Sequence, residues 1–87
     1  MTIEDIKEYA KENEVEIKYF TNPSYDNSII GISYDDRVIY DFEKMVEDLM
    51  EQDNISYEEA TEFIEYNTLR ALAYIGPDAP IILYTKK

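Results

Sequence analysis

The apolar positions of the first segment recur every three or four residues, the spacing of one face of an α-helix. They are Ile3, Ile6, Tyr9 and Ala10. Thr2 precedes them and Asp5 follows it by three positions, which is the arrangement of a capping box around the free amides of a first turn. The pattern predicts a helix that begins after Thr2 and ends near Asn13.

The pattern then changes to a period of two, which is typical of a strand with one face in solvent. Val15, Ile17 and Tyr19 alternate with charged residues at the positions between them. We therefore expect a first strand over residues 15–19.

The centre of the chain has the pattern of two further strands. A segment rich in turn-forming residues at 22–27 precedes an apolar run at 29–34, and Asp35 and Asp36 indicate a tight reversal. Residues 37–40 then complete a third strand. The sequence thus predicts an antiparallel meander in this region.

The second half of the chain returns to helical spacing. One helix is indicated after Asp41, its expected cap, by the stripe Phe42, Met45, Val46, Leu49 and Met50. Ser56 and Glu59 form a second capping box. The helix that follows should run from about residue 57 to 74, where Gly76 and Pro77 end it, with the inward stripe Ala60, Phe63, Ile64, Asn67 and Ala71.

A short apolar run at 81–84 predicts a final strand. The element order is then α-β-β-β-α-α-β, and we expect an α+β fold in which helices pack on an antiparallel sheet. At 87 residues the chain is long enough for one domain, so a single domain at 1–87 is predicted.

Composition excludes most enzyme chemistry. There is no Cys, His or Trp, which removes zinc sites, thiol nucleophiles and the side chain that most often transfers protons near neutral pH. The two glycines stand apart, so there is no glycine-rich phosphate loop. We expect a protein that is not an enzyme, with no cofactor and no metal site.

The N-terminal residues carry acids where a secretory leader carries bases. No apolar run approaches the ~18 residues that a membrane span needs. These two features predict a cytoplasmic protein with no membrane partner.

Charge is the strongest bias in the sequence. Twenty Asp and Glu against eight Lys and Arg give a formal net charge of −12, while 45% of the residues are hydrophobic, enough for a core. Residues 43–66 hold nine of the acids and one base. Direct nucleic-acid binding is not expected, because contacts to phosphates need clustered bases.

The acids of residues 43–66 repeat about once per helix turn. They are Glu43, Glu47, Asp48 and Glu51 on one helix and Glu58, Glu62 and Glu65 on the next. At ~1.5 Å rise per residue, each helix presents a carboxylate roughly every 5 to 6 Å, close to the spacing of backbone phosphates. Like charges at this spacing destabilise a helix by ~0.2–0.5 kcal/mol per pair. Two interpretations stay open: these acids mimic nucleic acid and bind a basic groove of a partner, or they prevent aggregation.

Nine tyrosines are the second bias. Tyr has a large apolar face and a polar hydroxyl, which suits both strands and interfaces. We expect the tyrosines at 19, 34, 40 and 84 to pack in strands. Tyr25, Tyr57 and Tyr66 have no evident core role and are expected at an interface.

Two polar residues of the last helix need separate explanations. Asn67 interrupts the apolar stripe, and a buried amide without a partner costs about 1 to 3 kcal/mol, so we expect it to bond a nearby backbone group. Arg70 is expected to form a surface ion pair with Glu62 or Glu65. The alternative is a small ligand pocket for an anion, built by Asn67, Arg70 and Tyr66.

Four stretches of the sequence resemble small acidic proteins of phages and prophages in Firmicutes. They are Tyr40 to Glu47, Tyr57 to Ala60, Ile64 to Leu72 and Ala79 to Ile82. The resemblance implies a phage setting, and phage proteins of this size and acidity are often anti-CRISPR or anti-restriction inhibitors that imitate DNA. No anti-CRISPR motif is matched residue by residue.

Three functions remain open. We favour a phage-type inhibitor that acts in the host cytoplasm and presents the seven acids named above, with Tyr57 and Tyr66, to the basic channel of a CRISPR effector or another nuclease. The second is a small interaction or assembly module, either a monomer or a homodimer. The third is a protein that sequesters a signalling nucleotide near Asn67 and Arg70, which the negative charge of the chain opposes.

Overall fold

A computed structural model describes residues 1–85 of the chain. Its helices and strands, in order, are α1 (Ile3–Glu12), β1 (Ile29–Ile32), β2 (Val38–Asp41), α2 (Phe42–Asp53), α3 (Tyr57–Phe63), α4 (Leu69–Ile75) and β3 (Ile81–Leu83). A 3₁₀ turn at Asp26–Ser28 precedes β1, and a π-helical turn at Ile64–Thr68 joins α3 to α4. The predicted α+β class is confirmed. Lys86 and Lys87, which the predicted domain includes, lie outside the described residues.

Local capping sets the helix boundaries as the sequence predicts. The Asp5 carboxylate accepts the Thr2 amide at 2.8 Å and the Thr2 hydroxyl accepts the Asp5 amide at 3.2 Å. These hydrogen bonds hold the pKa of Asp5 below its usual range. Ser56 and Glu59 form the same reciprocal pair at the start of α3, and the Asp41 side chain accepts the Lys44 amide at the start of α2. The first turns are therefore stabilised within the chain.

The sheet has the order β1-β2-β3 and is mixed. β1 and β2 pair antiparallel, with Ile29 opposite Tyr40, whereas β2 and β3 pair parallel, with Ile39 opposite Ile81. The prediction of a purely antiparallel sheet is wrong for this second pair. Parallel pairing needs a long crossover connection, and α2, α3 and α4 supply one between β2 and β3.

Residues 15–19 do not form the predicted strand. Ile17 is buried and the charged residues on either side of it are exposed, so the alternation of burial is present. The segment has no partner in the sheet. Alternation of apolar and charged residues indicates that one face of an extended segment is buried. It does not indicate whether a neighbouring strand is present for the segment to pair with.

The core lies between the helices and one face of the sheet. Its fully buried side chains come from every layer and include Ile6, Val38, Tyr40, Met45 and Leu49. Burial raises the pKa of Tyr40 to about 12, although its hydroxyl accepts the Phe20 amide at 3.0 Å.

Tyr25 also belongs to the core, which corrects its predicted place at an interface. Its hydroxyl and that of Thr68 are 2.8 Å apart in a buried hydrogen bond. Burial raises the pKa of the Tyr25 hydroxyl. By contrast, Tyr34 is fully exposed and does not pack in a strand as predicted.

The last helical segment turns a different set of side chains inward from the one that the sequence predicts. The sequence predicts one regular helix with Phe63 and Asn67 in the inward stripe, but both are exposed and the segment contains a π turn at Ile64–Thr68. Thr68, four positions after Ile64, is buried with it, because residues four apart lie on the same side of a helix.

Candidate partner-binding surface

Five exposed glutamates lie on α2, on α3 and in the π-helical turn that follows α3, and we call them together the acidic face. They are Glu47, Glu51, Glu58, Glu62 and Glu65. The two helices pack against each other. Within residues 1–85 the ion pairs are Lys18 with Asp78 and Arg37 with Asp35, so no acidic-face carboxylate is paired there. These five side chains can therefore contact a partner without first breaking an ion pair within the described part of the chain.

Asp48 does not belong to this face, which corrects its predicted role in partner binding. It is only 6% exposed. Its two carboxylate oxygens accept the Ser28 hydroxyl at 3.0 Å and the Asn27 side-chain amide at 3.1 Å. A step of about 100° around the helix separates it from Glu47, and that step turns it towards the 3₁₀ turn before β1. Asp48 thus holds α2 against that turn.

Glu43 and Tyr57 connect the two acidic helices. The Tyr57 hydroxyl donates to the Glu43 carboxylate, 3.1 Å from one oxygen and 3.2 Å from the other. This hydrogen bond to an anion raises the pKa of Tyr57. Glu43 is partly buried and Tyr57 is exposed, so this predicted pair lies between the helices and is already engaged within the chain.

Tyr66 and Arg70 form a second engaged pair. Tyr66 is exposed, and the Arg70 guanidinium carbon lies 4.9 Å from the centre of its ring, within range of a cation–π interaction. The predicted ion pair of Arg70 with Glu62 or Glu65 is absent from the described residues. Tyr66 is accessible to a partner on the ring face that Arg70 does not cover.

Asn67 is bonded to the backbone of its own helical segment. Its side-chain amide donates to the Phe63 carbonyl at 3.1 Å, as expected from the sequence. Tyr66 and Asn67 line one open depression together, and Asn67 also lines a groove beside it, but Arg70 lines neither. The base of the predicted anion pocket is therefore not brought into it.

The groove beside Asn67 has a volume of about 290 Å³. One wall is the helical segment from Phe63 to Ile75 and the other is residues 19–25. None of the lining residues that the structure describes is basic. The sequence did not predict this groove, because its two walls are far apart in the chain and residues 19–25 have no regular pattern.

No helix in the described part of the chain is long and apolar enough to cross a membrane. Residues 1–85 also hold no group of three acidic side chains placed to share a metal ion. Comparison of the chain with protein-family models, with curated proteins and with solved structures finds no match. The resemblance to phage proteins stays a prediction.

Proposed function

We propose that this protein is a non-catalytic inhibitor whose acidic face occupies a basic, nucleic-acid-binding groove on a protein partner. The observation that carries the proposal is that five carboxylates on α2, α3 and the π turn after α3 are exposed and make no ion pair within residues 1–85. A basic groove built for phosphates attracts such a surface for the same electrostatic reason that it attracts nucleic acid. A partner held in this way is blocked without any chemistry.

Internal repulsion supports this interpretation over a role in stability. Glu47 and Glu51 are i,i+4 neighbours on α2, and Glu58 and Glu62 are i,i+4 neighbours on α3. Each like-charge pair costs its helix ~0.2–0.5 kcal/mol. The chain offsets this with capping and with the Glu43–Tyr57 hydrogen bond. A basic partner surface would relieve the same repulsion.

The resemblance described above makes a CRISPR effector or another phage-restricting nuclease the first partner to test. Such enzymes hold nucleic acid in a positively charged channel. Electrostatic complementarity of this kind raises association rates from ~10⁵–10⁶ to as much as ~10⁸–10⁹ M⁻¹s⁻¹ at low salt.

Displacement of a fluorescent DNA duplex from a panel of purified nucleases tests the proposal. The acidic-face variant replaces Glu47, Glu51, Glu58, Glu62 and Glu65 with Gln. The N-terminal control variant replaces Glu4, Glu8, Glu12, Glu14 and Glu16 with Gln; these are also exposed, and each variant loses five negative charges.

We expect the wild-type protein and the N-terminal control variant to displace the duplex, and the acidic-face variant to lose this ability. Displacement should weaken between ~0.1 and ~0.5 M salt, because the screening length shortens from ~10 Å towards ~3–5 Å. Equal loss in both variants would show that only net charge matters. A protein that displaces DNA from no member of the panel would also contradict the proposal.

A homodimer formed through the sheet is the second candidate. β3 is an edge strand, and Leu83 on it and Tyr84 just after it are exposed apolar side chains. Light scattering over a wide concentration range distinguishes a homodimer from a monomer. A constant mass of 10.3 kDa would eliminate the dimer.

A further inference from the structure

We propose that the groove between the α3–α4 segment and residues 19–25 takes one large apolar side chain of the partner, and that a Lys or Arg beside that side chain pairs with Glu62. This inference rests on the proposed function, because it specifies how the basic partner is anchored once the acidic face has attracted it. The occupant is thus a protein segment that combines an aromatic or large aliphatic residue with a neighbouring base.

The size and lining of the groove favour a single apolar side chain. Its volume of about 290 Å³ is at the lower limit of the ~300–1,000 Å³ of pockets that hold drug-sized ligands. Phe20, Pro23, Ala71 and Ile75 supply apolar lining on both walls. Phe63 also lines it and is 37% exposed, so the groove leaves part of a large hydrophobic side chain in solvent.

Two polar side chains of the groove are already bonded within the chain. The Thr68 hydroxyl is paired with that of Tyr25 at 2.8 Å, and the Asn67 amide donates to the Phe63 carbonyl at 3.1 Å. An apolar side chain that enters the groove therefore leaves these two groups partnered, which avoids the cost of burying them unpaired.

Charge at the two ends of the groove differs. At one end a more open depression shares Phe63 and Asn67 with the groove and is lined by Glu59, Glu62 and Tyr66. Glu59 accepts the Ser56 amide at 3.3 Å as a helix cap. Arg70, the base nearest to this rim in sequence, is held over the Tyr66 ring. Neither Glu59 nor Glu62 makes an ion pair within residues 1–85, and of the two Glu62 is the one that does not cap α3.

The other end is electrically balanced. Lys18 donates to the Ile75 carbonyl at 3.1 Å and pairs with Asp78 at 2.9 Å. This ion pair holds the pKa of Asp78 below its usual range. The asymmetry sets the orientation of the occupant: its apolar side chain fills the groove and its base lies towards Glu62. Interface anchors of this type, an apolar residue in a pocket with a charged rim, carry most of the affinity in many complexes.

Three capped tripeptides separate the two parts of the proposal: Trp-Lys-Lys, Gly-Lys-Lys and Trp-Glu-Glu. Each is titrated into the ¹⁵N-labelled wild-type protein, and binding is followed through amide chemical shifts. We expect Trp-Lys-Lys to bind at least about tenfold more tightly than either control, a difference of about 1.4 kcal/mol. The largest shifts should fall on Phe63, Ala71 and Ile75.

Two matched substitutions on α4 test whether the peptide binds in the groove. Ala71→Met narrows the groove, because Ala71 lines it, whereas Ala73→Met adds the same side chain at an exposed position of the same helix. The preference for Trp-Lys-Lys over Gly-Lys-Lys should disappear in Ala71→Met and persist in Ala73→Met. Glu62→Gln should weaken Trp-Lys-Lys and leave Trp-Glu-Glu no weaker than before.

Equal affinity of Trp-Lys-Lys and Gly-Lys-Lys, with shifts spread over the acidic face, would overturn the anchor and leave the proposed function intact. Equal affinity of Trp-Lys-Lys and Trp-Glu-Glu would overturn the preference for a base. Failure of both lysine peptides to bind would count against the anchor and against the proposed function together. The peptide comparison uses the wild-type chain, so it tests the apolar anchor and the preference for a base even if Ala71→Met fails to fold.

Discussion

Replacing Asp48 with Ala should unfold the protein more easily, although the residue belongs to a run of acids that looks entirely surface-exposed in the sequence. The substitution removes two hydrogen bonds, from the Ser28 hydroxyl at 3.0 Å and from the Asn27 amide at 3.1 Å. A hydrogen bond to a charged group contributes ~1.5–3 kcal/mol, and an unpartnered buried group costs ~1–3 kcal/mol.

Ser28 determines most of the expected loss, because it is 0% exposed and cannot turn to water. Asn27 is exposed and can bond solvent instead. We therefore expect Asp48→Ala to lower the free energy of unfolding by about 2–4 kcal/mol. That is a large share of the roughly 4–13 kcal/mol typical of a domain of this size.

Urea unfolding followed by far-UV circular dichroism measures this loss. Glu47→Ala is the matched control: it makes the same substitution type one position earlier, at an exposed residue. It removes repulsion with Glu43 and Glu51, so stability should stay constant or rise by ~0.2–0.5 kcal/mol per pair. The assignment of Asp48 to the fold would be refuted if Asp48→Ala lay within ~0.5 kcal/mol of the wild type or cost no more than Glu47→Ala.

Three further comparisons of variants test other parts of the structure by the same unfolding assay. Tyr25→Phe should cost about 1 kcal/mol by leaving the Thr68 hydroxyl unpartnered, and Thr68→Val added to it should recover most of that loss; additive losses would contradict the buried hydrogen bond. Gly76→Ala should cost about 1–3 kcal/mol because its φ of 110° strains any L side chain, whereas Gly31→Ala should change little since a Cβ there meets nothing within 4 Å. The ion pair of Asp78 holds its pKa below the ordinary 3.8, so the stability it contributes is present above that pH and is lost as the pH falls through the lowered pKa. Asp78→Asn should then lose less stability than the wild type between about pH 7 and about pH 2.5, and equal losses would contradict the pair.

Local features of the fold were predictable from the sequence. The capping boxes at Thr2 and Ser56, the Asp41 cap and the end of α4 at Gly76 all lie where the sequence predicts them. Each depends on contacts between residues at most four positions apart, and the chemistry of those contacts is readable from residue type and spacing.

Features that depend on distant contacts were not predictable. The buried position of Thr68 is tied to a hydrogen bond with Tyr25, which is 43 positions away in the sequence. The parallel pairing of β3 depends on where the crossover returns. Neither is encoded in a local period of apolar residues.

In the candidate site, too, the features set by local spacing were predictable and those set by distant contacts were not. Helical spacing correctly placed Glu47, Glu51 and Glu62 on the surface. Spacing could not show that Asp48 is buried, because its side of α2 is covered by the turn at Asp26–Ser28, which is distant in sequence. The groove beside Asn67 is formed by segments far apart in sequence, so it has no local signal.

The rate of association with the partner found by DNA displacement, measured across salt concentration by stopped flow, tests most directly that the acidic face drives binding. For the wild type and the N-terminal control variant we expect a steep fall, about 10- to 100-fold, between ~0.05 and ~0.5 M salt. The acidic-face variant should associate slowly at low salt and show a shallow dependence. Equal salt dependence in the two variants would contradict the account, since both lose five charges and only the location of those charges differs.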